Sequence, residues 1–238
     1  MATLRCLGSS SEGNCYIIEC SNEILILELG VSFKDILKAL NYDVSKVVGA
    51  CVTHKHADHA KYLKTAFKYA INVYSCKDVQ SIDERAKVLE TGLKTQIGGF
   101  KVQPLNVPHS VECYSFIIQH EEFGKLLFAT DCSSFKYRIK NLNHILIESN
   151  WSEEILIDNM CNDADMRSRH EQHLEINDTI DAIKENYSSF LQNVLLLHLS
   201  NGNSNEVDFV KKVKNEIGLP NVFCAKENLV VSLYESEF

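Results

Sequence analysis

The sequence is poor in the residues that mark fibrous or unstructured chains. Its 238 residues include only 3 proline and 10 glycine, while hydrophobic residues make up 45%. Collagen-like, low-complexity and disordered chains are therefore excluded. No apolar run approaches the roughly 20 residues that a membrane-spanning helix needs. The polar stretch 8–13 comes soon after the first residue, without the apolar segment of a secretory signal, so we expect a cytoplasmic protein.

Paired cysteines are also missing. The nine cysteines are an odd number, and no two have the C-x-x-C spacing of a metal finger or redox motif. Cys6, Cys20, Cys51 and Cys113 lie in apolar segments, where a free thiol acts as a small hydrophobic side chain. A reduced protein is predicted, rather than a disulfide scaffold or a zinc finger.

Basic clusters are absent as well. Against 32 Asp and Glu stand 24 Lys and Arg, which gives a net charge of −8. The acidic stretch 148–181 accounts for this whole excess, and the rest of the chain is balanced. Proteins that track a nucleic-acid backbone need clustered Lys and Arg. Nucleic acid is therefore a less favoured partner, and no membrane partner is expected.

What the chain does have is a succession of short apolar strands and helices. Helices are expected after Ser32, at 152–160, at 177–186 and near 205–217. The helices at 152–160 and 177–186 each have a capping residue at the start. We predict a single domain, 1–238, with sheets covered by helices on the outside. The strands are predicted at 4–7, 15–20, 23–28, 46–53, 71–74, 100–105, 114–119, 125–130, 144–148 and 194–198.

The strongest chemical signal is the sequence Thr53-His-Lys-His-Ala-Asp-His59, which follows a buried strand. His54 and His56 alternate, which places both imidazoles on one side of an extended chain. Asp58 and His59 come where the chain turns towards a helix and can face a second point nearby. The alternative is a polar loop that is rich in histidine by chance. Two adjacent sets of nitrogen and oxygen donors favour a site for two divalent metal ions.

Three further donors lie where other predicted strands end, namely His109, Asp131 and His198. Taken singly, each would more often be an ordinary polar residue at a strand end. Together with the histidine motif they predict that one edge of the molecule binds metal.

This series of donors resembles the metallo-β-lactamase superfamily over essentially the whole chain. The resemblance implies an α/β fold, the αββα sandwich of two mixed sheets flanked by helices. It also implies two divalent ions at one edge of the sheets, with zinc favoured and manganese or iron also suitable. The implied ligands are His54, His56 and His109 for the first ion, Asp58, His59 and His198 for the second, and Asp131 as a bridge between them.

Two segments point to a subgroup of that superfamily. Residues 7–14 (LGSSSEGN) and 197–204 (LHLSNGNS) are similar to WalJ/YycJ-like bacterial proteins, their phage relatives and the phage anti-Pycsar phosphodiesterases, which degrade cyclic nucleotides. Ribonuclease Z is a more distant match. Glu28 stands where the superfamily usually has Asp, and a supporting hydrogen bond to a ligand loop is its expected role. The stretch 8–14 is expected to lie beside the metals.

The resemblance also implies a proton donor. His173 is the expected general acid, and Glu148 is the carboxylate that orients it. Asp58 is expected to be a catalytic residue as well as a metal ligand. A surface histidine and a solvated strand-end charge are the alternative interpretations, and His170 is a weaker candidate for the acid. His120 and His144 have no partner in the pattern and are predicted to be structural.

The predicted function is a dinuclear-metal phosphodiesterase that hydrolyses 3′,5′-cyclic mononucleotides by attack of a metal-bridging hydroxide. A phage-encoded role in immune evasion is implied by the resemblance, as is a homodimer. A small nucleotide substrate needs few cations, so the acidic chain is no obstacle. The alternatives are a WalJ/YycJ-like DNA exonuclease, a ribonuclease Z-like nuclease, and a non-enzymatic protein that binds or sequesters a nucleotide through metal. β-Lactamase activity is disfavoured because an export signal is missing.

Overall fold

The computed structural model describes residues 2–159 and 171–235. Within them, the strands form two seven-stranded sheets, with the orders β14-β1-β2-β3-β4-β5-β6 and β13-β12-β11-β10-β9-β8-β7. The strands are β1 (Ala2–Ser10), β2 (Gly13–Glu19), β3 (Ile24–Leu27), β4 (Val47–Cys51), β5 (Val73–Ser75), β6 (Lys87–Val88), β7 (Thr95–Ile97), β8 (Phe100–Val107), β9 (Cys113–His120), β10 (Gly124–Ala129), β11 (His144–Glu148), β12 (Asn193–Leu197), β13 (Val222–Cys224) and β14 (Val230–Leu233).

Both sheets are mixed, as predicted. In the first sheet β14, β1, β2 and β3 pair antiparallel, and β3 to β6 pair parallel. In the second sheet β7 to β10 pair antiparallel, and β10 to β13 pair parallel. The parallel strands of each sheet therefore end at a common edge, and the loops that follow them come together there.

Helices accompany both sheets. The first four helices pack with the first sheet, and the last two cover the second. The described helices are α1 (Phe33–Ala39), α2 (Ala57–Ala60), α3 (Leu63–Lys68), α4 (Lys77–Gln80), α5 (Glu153–Asn159), α6 (Ile176–Glu185) and α7 (Glu206–Ile217). None of these helices is both long and apolar enough to cross a membrane.

The core explains why the central strands are continuous apolar runs. Every residue of β3, β11 and β12 is buried, because these strands are covered on both faces. Between the sheets, the rings of Tyr16 and Phe128 meet edge to face with centroids 5.3 Å apart. A second apolar cluster, which includes Ile183 and Phe209, packs α6 and α7 on the second sheet.

Several local predictions need correction. The helix expected at 177–186 begins at Ile176 and is capped by Glu175, whose side chain accepts a hydrogen bond from the Asn177 N–H. Four short strands, β6, β7, β13 and β14, and the short helices α3 and α4 were not predicted. The helix expected at 152–160 is described as far as Asn159, and residue 160 lies outside the described residues. The eight described cysteines are free and buried, in agreement with the prediction.

Candidate metal centre

The histidine motif occupies the connection between β4 and α2. Thr53 and His54 are buried, and His56 is the extended residue before the helix, with φ −60° and ψ 149°. Asp58 and His59 then lie in the single turn of α2. The Leu29 N–H donates to the His59 carbonyl at 2.7 Å, which ties this turn to the end of β3. The motif thus changes from extended chain to helix between its two pairs of donors.

The first group of donors consists of three histidines. His54 Nε2 lies 3.0 Å from His56 Nδ1, and His109 Nε2 lies 3.3 Å from the same His56 nitrogen. One nitrogen of each ring therefore points to a common centre, and the three atoms lie within 4.8 Å of one another. His109 reaches this place from the loop after β8. The structure brings together the three residues implied as ligands of the first ion.

The second group combines two histidines with two carboxylates. His59 Nε2 lies 3.2 Å from Asp58 Oδ2 and 3.4 Å from Asp131 Oδ1. His198 Nδ1 lies 3.3 Å from Asp131 Oδ1, and its Nε2 lies 3.8 Å from Asp58 Oδ2. Asp131 follows β10 and His198 follows β12, so both come from the common edge of the parallel strands.

Asp131 stands between the two groups. Its Oδ2 lies 3.9 Å from His54 Nε2 and 4.0 Å from His109 Nε2 in the first group. Its Oδ1 faces His59 and His198 in the second group. One carboxylate with an oxygen turned to each group has the arrangement that a bridging ligand requires.

The chemistry of these donors fits divalent metal ions. His198 Nε2 is buried and has no hydrogen-bond partner among the described residues, which is costly for a polar atom unless something binds it. Burial lowers the pKa of His198, but the neighbouring carboxylates of Asp131, Asp58 and Glu148 outweigh burial and raise this pKa to about 10. The buried carboxylates thus favour positive charge among them. Imidazole and carboxylate donors suit Zn²⁺ and similar ions.

Glu28 lies behind the second group. Its side chain is fully buried, and it accepts hydrogen bonds of 3.2 Å from the Thr53 N–H, at the start of the motif. Its Oε1 is 3.5 Å from His59 Nδ1, on the side of the ring away from Asp58. Burial raises the pKa of Glu28, against the effect of His59. The longer side chain therefore still reaches the position from which a carboxylate supports a ligand.

His173 and Glu148 form a close pair at the side of the second group. His173 Nδ1 lies 2.6 Å from Glu148 Oε1. The other oxygen of Glu148 accepts from the Cys132 N–H at 2.9 Å and from the Leu174 N–H at 3.2 Å. The Glu148 side chain is fully buried, whereas that of His173 is 22% exposed. The pair therefore has a fixed, buried carboxylate and an imidazole that reaches the surface.

Glu148 also has a contact that the sequence did not predict. Its Oε1 lies 3.1 Å from His198 Nδ1, so that one oxygen faces both His173 and a candidate metal ligand. Burial alone would lower the pKa of His173, but the Glu148 carboxylate outweighs it and raises that pKa. The alternative acid, His170, lies outside the described residues.

The hairpin between β1 and β2 adds two polar side chains that sequence reasoning missed. Asn14 Nδ2 lies 3.1 Å from His59 Nε2 and 3.4 Å from Asp58 Oδ2. The Ser9 hydroxyl oxygen accepts a 2.9 Å hydrogen bond from the His198 N–H. The hairpin therefore lies beside the second group, as expected of the stretch 8–14. The sequence signal for Asn14 was its place at the end of the segment 7–14, which did not indicate a contact with His59.

Gly30 permits an unusually close approach of two backbones. A side-chain carbon built on Gly30 would overlap the backbone carbonyl of Asp58, and it would lie 2.7 Å from the Asn14 nitrogen. The Gly30 N–H donates to the Asn14 carbonyl at 2.9 Å. The loop after β3, the hairpin and the donor turn are thus in direct backbone contact.

A cleft of about 680 Å³ opens next to this hairpin. The loop that follows His198 forms one of its walls, through Leu199 and Ser200. Its charged lining residues are of both signs, Glu12, Lys61, Glu206, Lys226 and Glu227. Lys226 is paired with Glu206 at 3.1 Å, so the cleft is not a strongly basic groove.

Comparison with known proteins gives a weak match in sequence. No model of a known protein family matches the chain. Exodeoxyribonuclease WalJ from two strains of Streptococcus pneumoniae is 25% identical over 169 residues. This alignment covers 63% of the chain and 63% of each relative, which is less than two thirds of the relatives' length.

The match in structure is much broader. The metallo-β-lactamase fold protein YhfI from Bacillus subtilis superposes with a TM-score of 0.77 at 15% identity, over 98% of this chain and 100% of that one. A diphosphatase of the PhnP family superposes with a TM-score of 0.68 at 14% identity, over 97% of this chain and 96% of that one. The short form of human tRNase Z superposes with a TM-score of 0.65 at 12% identity, over 97% of this chain and 99% of that one. Since nearly the whole of each chain superposes, the protein has the metallo-β-lactamase fold that its sequence implied.

Proposed function

We propose that the chain is a dinuclear-metal phosphodiesterase whose substrate is a 3′,5′-cyclic mononucleotide. The observation that carries the proposal is the His173–Glu148 pair, 2.6 Å apart, beside the donors Asp131 and His198. His173 is not one of the seven ligand candidates, and a site that only stores or senses a metal needs no imidazole beyond its ligands. A hydrolase needs such a group, because the departing oxygen must receive a proton.

The proposed ions are zinc, with manganese as the second choice. When bound, they would lower the pKa of a water molecule and neutralise charge on the phosphoryl oxygens. The chain would hold them with the two groups of donors described above. Asp131 fixes the separation of the two groups, and Glu28 faces His59 Nδ1 on the side of the ring away from the other donors.

His173 acts in the second half of the reaction. Glu148 accepts the hydrogen bond from His173 Nδ1, which leaves Nε2 to carry the proton that the leaving oxygen takes. The oxygen of water loses one proton to solvent and becomes bonded to phosphorus, and the bond from phosphorus to one ribose oxygen breaks. That oxygen takes the proton from His173, so the product is a nucleoside monophosphate. The negative charge of Glu148 stabilises the imidazolium before the transfer.

Charge supports a small substrate over a polymer. The cleft beside the hairpin is lined by two lysines and three glutamates, and Lys226 is paired with Glu206. The net charge of the chain is −8. A polymer is held through several phosphates, each neutralised by Lys or Arg, whereas a single phosphodiester needs little beyond the metal centre. In a cell, such an enzyme would lower the concentration of a cyclic-nucleotide signal, the role in immune evasion that the anti-Pycsar resemblance implies.

A second candidate is a DNA exonuclease. It is favoured by the 25% identity to exodeoxyribonuclease WalJ. The same metal centre and proton donor would serve either reaction, so the choice between them depends on how the substrate is held. A nucleotide-sequestering protein without activity is the non-enzymatic alternative.

The deciding experiment compares substrates. The purified protein is first analysed for metal, and two equivalents per chain are expected at the dinuclear centre, in addition to any metal bound elsewhere. Its catalytic efficiency is then measured on 3′,5′-cyclic nucleotides, single-stranded DNA, RNA and precursor tRNA at 50 and 200 mM salt. We expect the highest efficiency on the cyclic nucleotides, with a weak dependence on salt. Faster cleavage of DNA that falls steeply with salt would establish the exonuclease instead. Nucleotide binding without turnover would identify the sequestering protein.

A further inference from the structure

A second group of metal-binding side chains lies at the other end of the sheets. Cys20 is in the turn between β2 and β3, and His120 and Glu122 are where β9 turns into β10. Strand β2 runs from Asn14, beside His59, to this turn, which places the two ends about 20 Å apart. The group is therefore separate from the metal centre already described.

The three donors face one another. Cys20 Sγ lies 3.4 Å from His120 Nδ1, and a carboxylate oxygen of Glu122 lies within 4.8 Å of both. Cys20 is 3% exposed and His120 is 6% exposed. Ser21 holds the Glu122 carboxylate through its N–H at 2.8 Å and its hydroxyl at 3.0 Å. Cys20 and His120 are thus buried, and Glu122 is half-buried and held in place by Ser21.

The histidine is oriented as metal-binding histidines usually are. His120 Nε2 lies 3.1 Å from Glu23 Oε1, so the carboxylate holds the N–H on that side. The Glu122 N–H donates to Nδ1 at 3.2 Å, which requires Nδ1 to be unprotonated. A ligating histidine characteristically donates its other N–H to a carboxylate in this way. The lone pair of Nδ1 is therefore on the side of the Cys20 sulfur.

We propose that Cys20, His120 and Glu122 bind one divalent transition-metal ion of the zinc type, with water as a fourth ligand. In a tetrahedral zinc site, Zn–S and Zn–N bonds of about 2.3 and 2.0 Å separate sulfur from nitrogen by about 3.5 Å. The observed separation of 3.4 Å matches that edge. Because one ligand belongs to a turn of the first sheet and two belong to a turn of the second, the ion ties the two sheets together.

Binding exchanges a proton for the metal. Burial, together with the charges of Glu122 and Glu23, raises the pKa of the Cys20 thiol to about 12. Without an ion the sulfur is therefore protonated at neutral pH. The ion takes the place of that proton, which passes to solvent, and the weak N–H contact to Nδ1 is given up. The thiolate and the Glu122 carboxylate then balance the two positive charges.

The sulfur ligand gives this site its own spectroscopic signature. The donors of the dinuclear centre are all nitrogen and oxygen, so only the Cys20 site should give a thiolate-to-metal charge-transfer band. Cobalt is titrated into the metal-depleted full chain, and we expect such a band to saturate once three equivalents are bound, two of them at the dinuclear centre. The Cys20→Ser variant should lose it. The matched control Cys132→Ser, which removes a buried thiol next to Asp131, should keep it.

Two outcomes would overturn the proposal: wild-type protein without the band, or Cys20→Ser protein that keeps it. His120→Ala should weaken cobalt binding at this site at least tenfold, and unchanged affinity would also contradict the assignment. Folding of each variant is checked by circular dichroism, and the thermal stabilisation by zinc should be smaller in Cys20→Ser than in wild type. Hydrolytic activity of Cys20→Ser should equal that of wild type, so the result does not depend on the proposed function.

Discussion

Three polar residues at the metal centre have left-handed backbone conformations. Glu28, Asp131 and His198 have φ of 65°, 47° and 52°, and each follows closely on the end of a strand. This conformation costs a residue other than glycine about 1 kcal/mol or more. Such strained residues cluster where function demands a particular geometry. Here the left-handed conformation directs the side chains of Asp131 and His198 towards the other donors. It places the Glu28 side chain behind them.

The proton donor can be tested with one substitution. We expect His173→Ala to keep the fold and two metal equivalents but to lose turnover of a natural phosphodiester by about 10²–10⁴-fold, because it removes a general acid. A substrate with a good leaving group needs no acid, so bis-p-nitrophenyl phosphate should be cleaved at close to the wild-type rate. The measurements are steady-state rates on both substrates and elemental analysis. Equal losses on the two substrates would show that His173 has another role.

At the residue scale, the sequence predicted the site best where a residue type that binds metal stands directly after a predicted strand. The seven predicted ligands meet in two groups because the segments that hold them follow strands. His173 also meets Glu148, although it precedes helix α6 and, in the described part of the chain, does not directly follow a strand. His120 was predicted to be structural. Its partners Cys20 and Glu23 lie almost a hundred residues away in another sheet, and no local pattern connects them. Asn14 was missed because its partners Asp58 and His59 lie 44 and 45 residues away along the chain.

At the scale of elements, the strands that were predicted are those with long apolar runs. Strands β11 and β12 have no exposed residue, so their sequences are unmistakable. Strand β6 has two residues, both exposed, and it pairs only along one side with β5. Its formation depends on the neighbouring strand rather than on its own sequence. The start of helix α6 was also predicted incorrectly. Asn is a preferred capping residue, so Asn177 was expected at the start of the helix, but Glu175 caps it.

Strand β11 begins with a histidine that makes stability depend on pH. Burial lowers the pKa of His144 to about 4, and Asn193 Nδ2 lies 3.1 Å from its Nδ1, where it donates to the neutral ring. Unfolded histidine has a pKa of about 6.5, so as the pH falls the unfolded chain takes up the proton first. Stability should therefore decrease from about pH 6.5 to about pH 4. At pH 5 the loss due to His144 is about 2 kcal/mol.

The His144→Gln variant isolates this contribution. Its free energy of unfolding in urea is measured at pH 7 and pH 5 beside that of wild type. Other groups titrate in both proteins, so their effects cancel in the comparison. We expect the variant to lose about 2 kcal/mol less than wild type over this interval. The same loss in both proteins would mean that His144 is not held neutral by burial.

At the scale of the whole molecule, the resemblance predicts a homodimer. A stable interface covers about 800 Å² on each partner, against a total accessible surface of 11091 Å². Sedimentation equilibrium at micromolar concentration should therefore give about twice the chain mass of 27.0 kDa. A single species of 27.0 kDa at all concentrations would contradict the prediction.

The close approach at Gly30 has a consequence for how this chain can vary. The backbones of the β3 loop, the hairpin and the donor turn meet there without space for a methyl group. Any side chain at position 30 would push Asp58 away from His59 and His198, whatever its polarity. Chemically similar substitutions therefore offer no partial rescue at this position. In a library randomised at codon 30 and selected for activity, glycine alone should be recovered, even though position 30 itself provides no ligand.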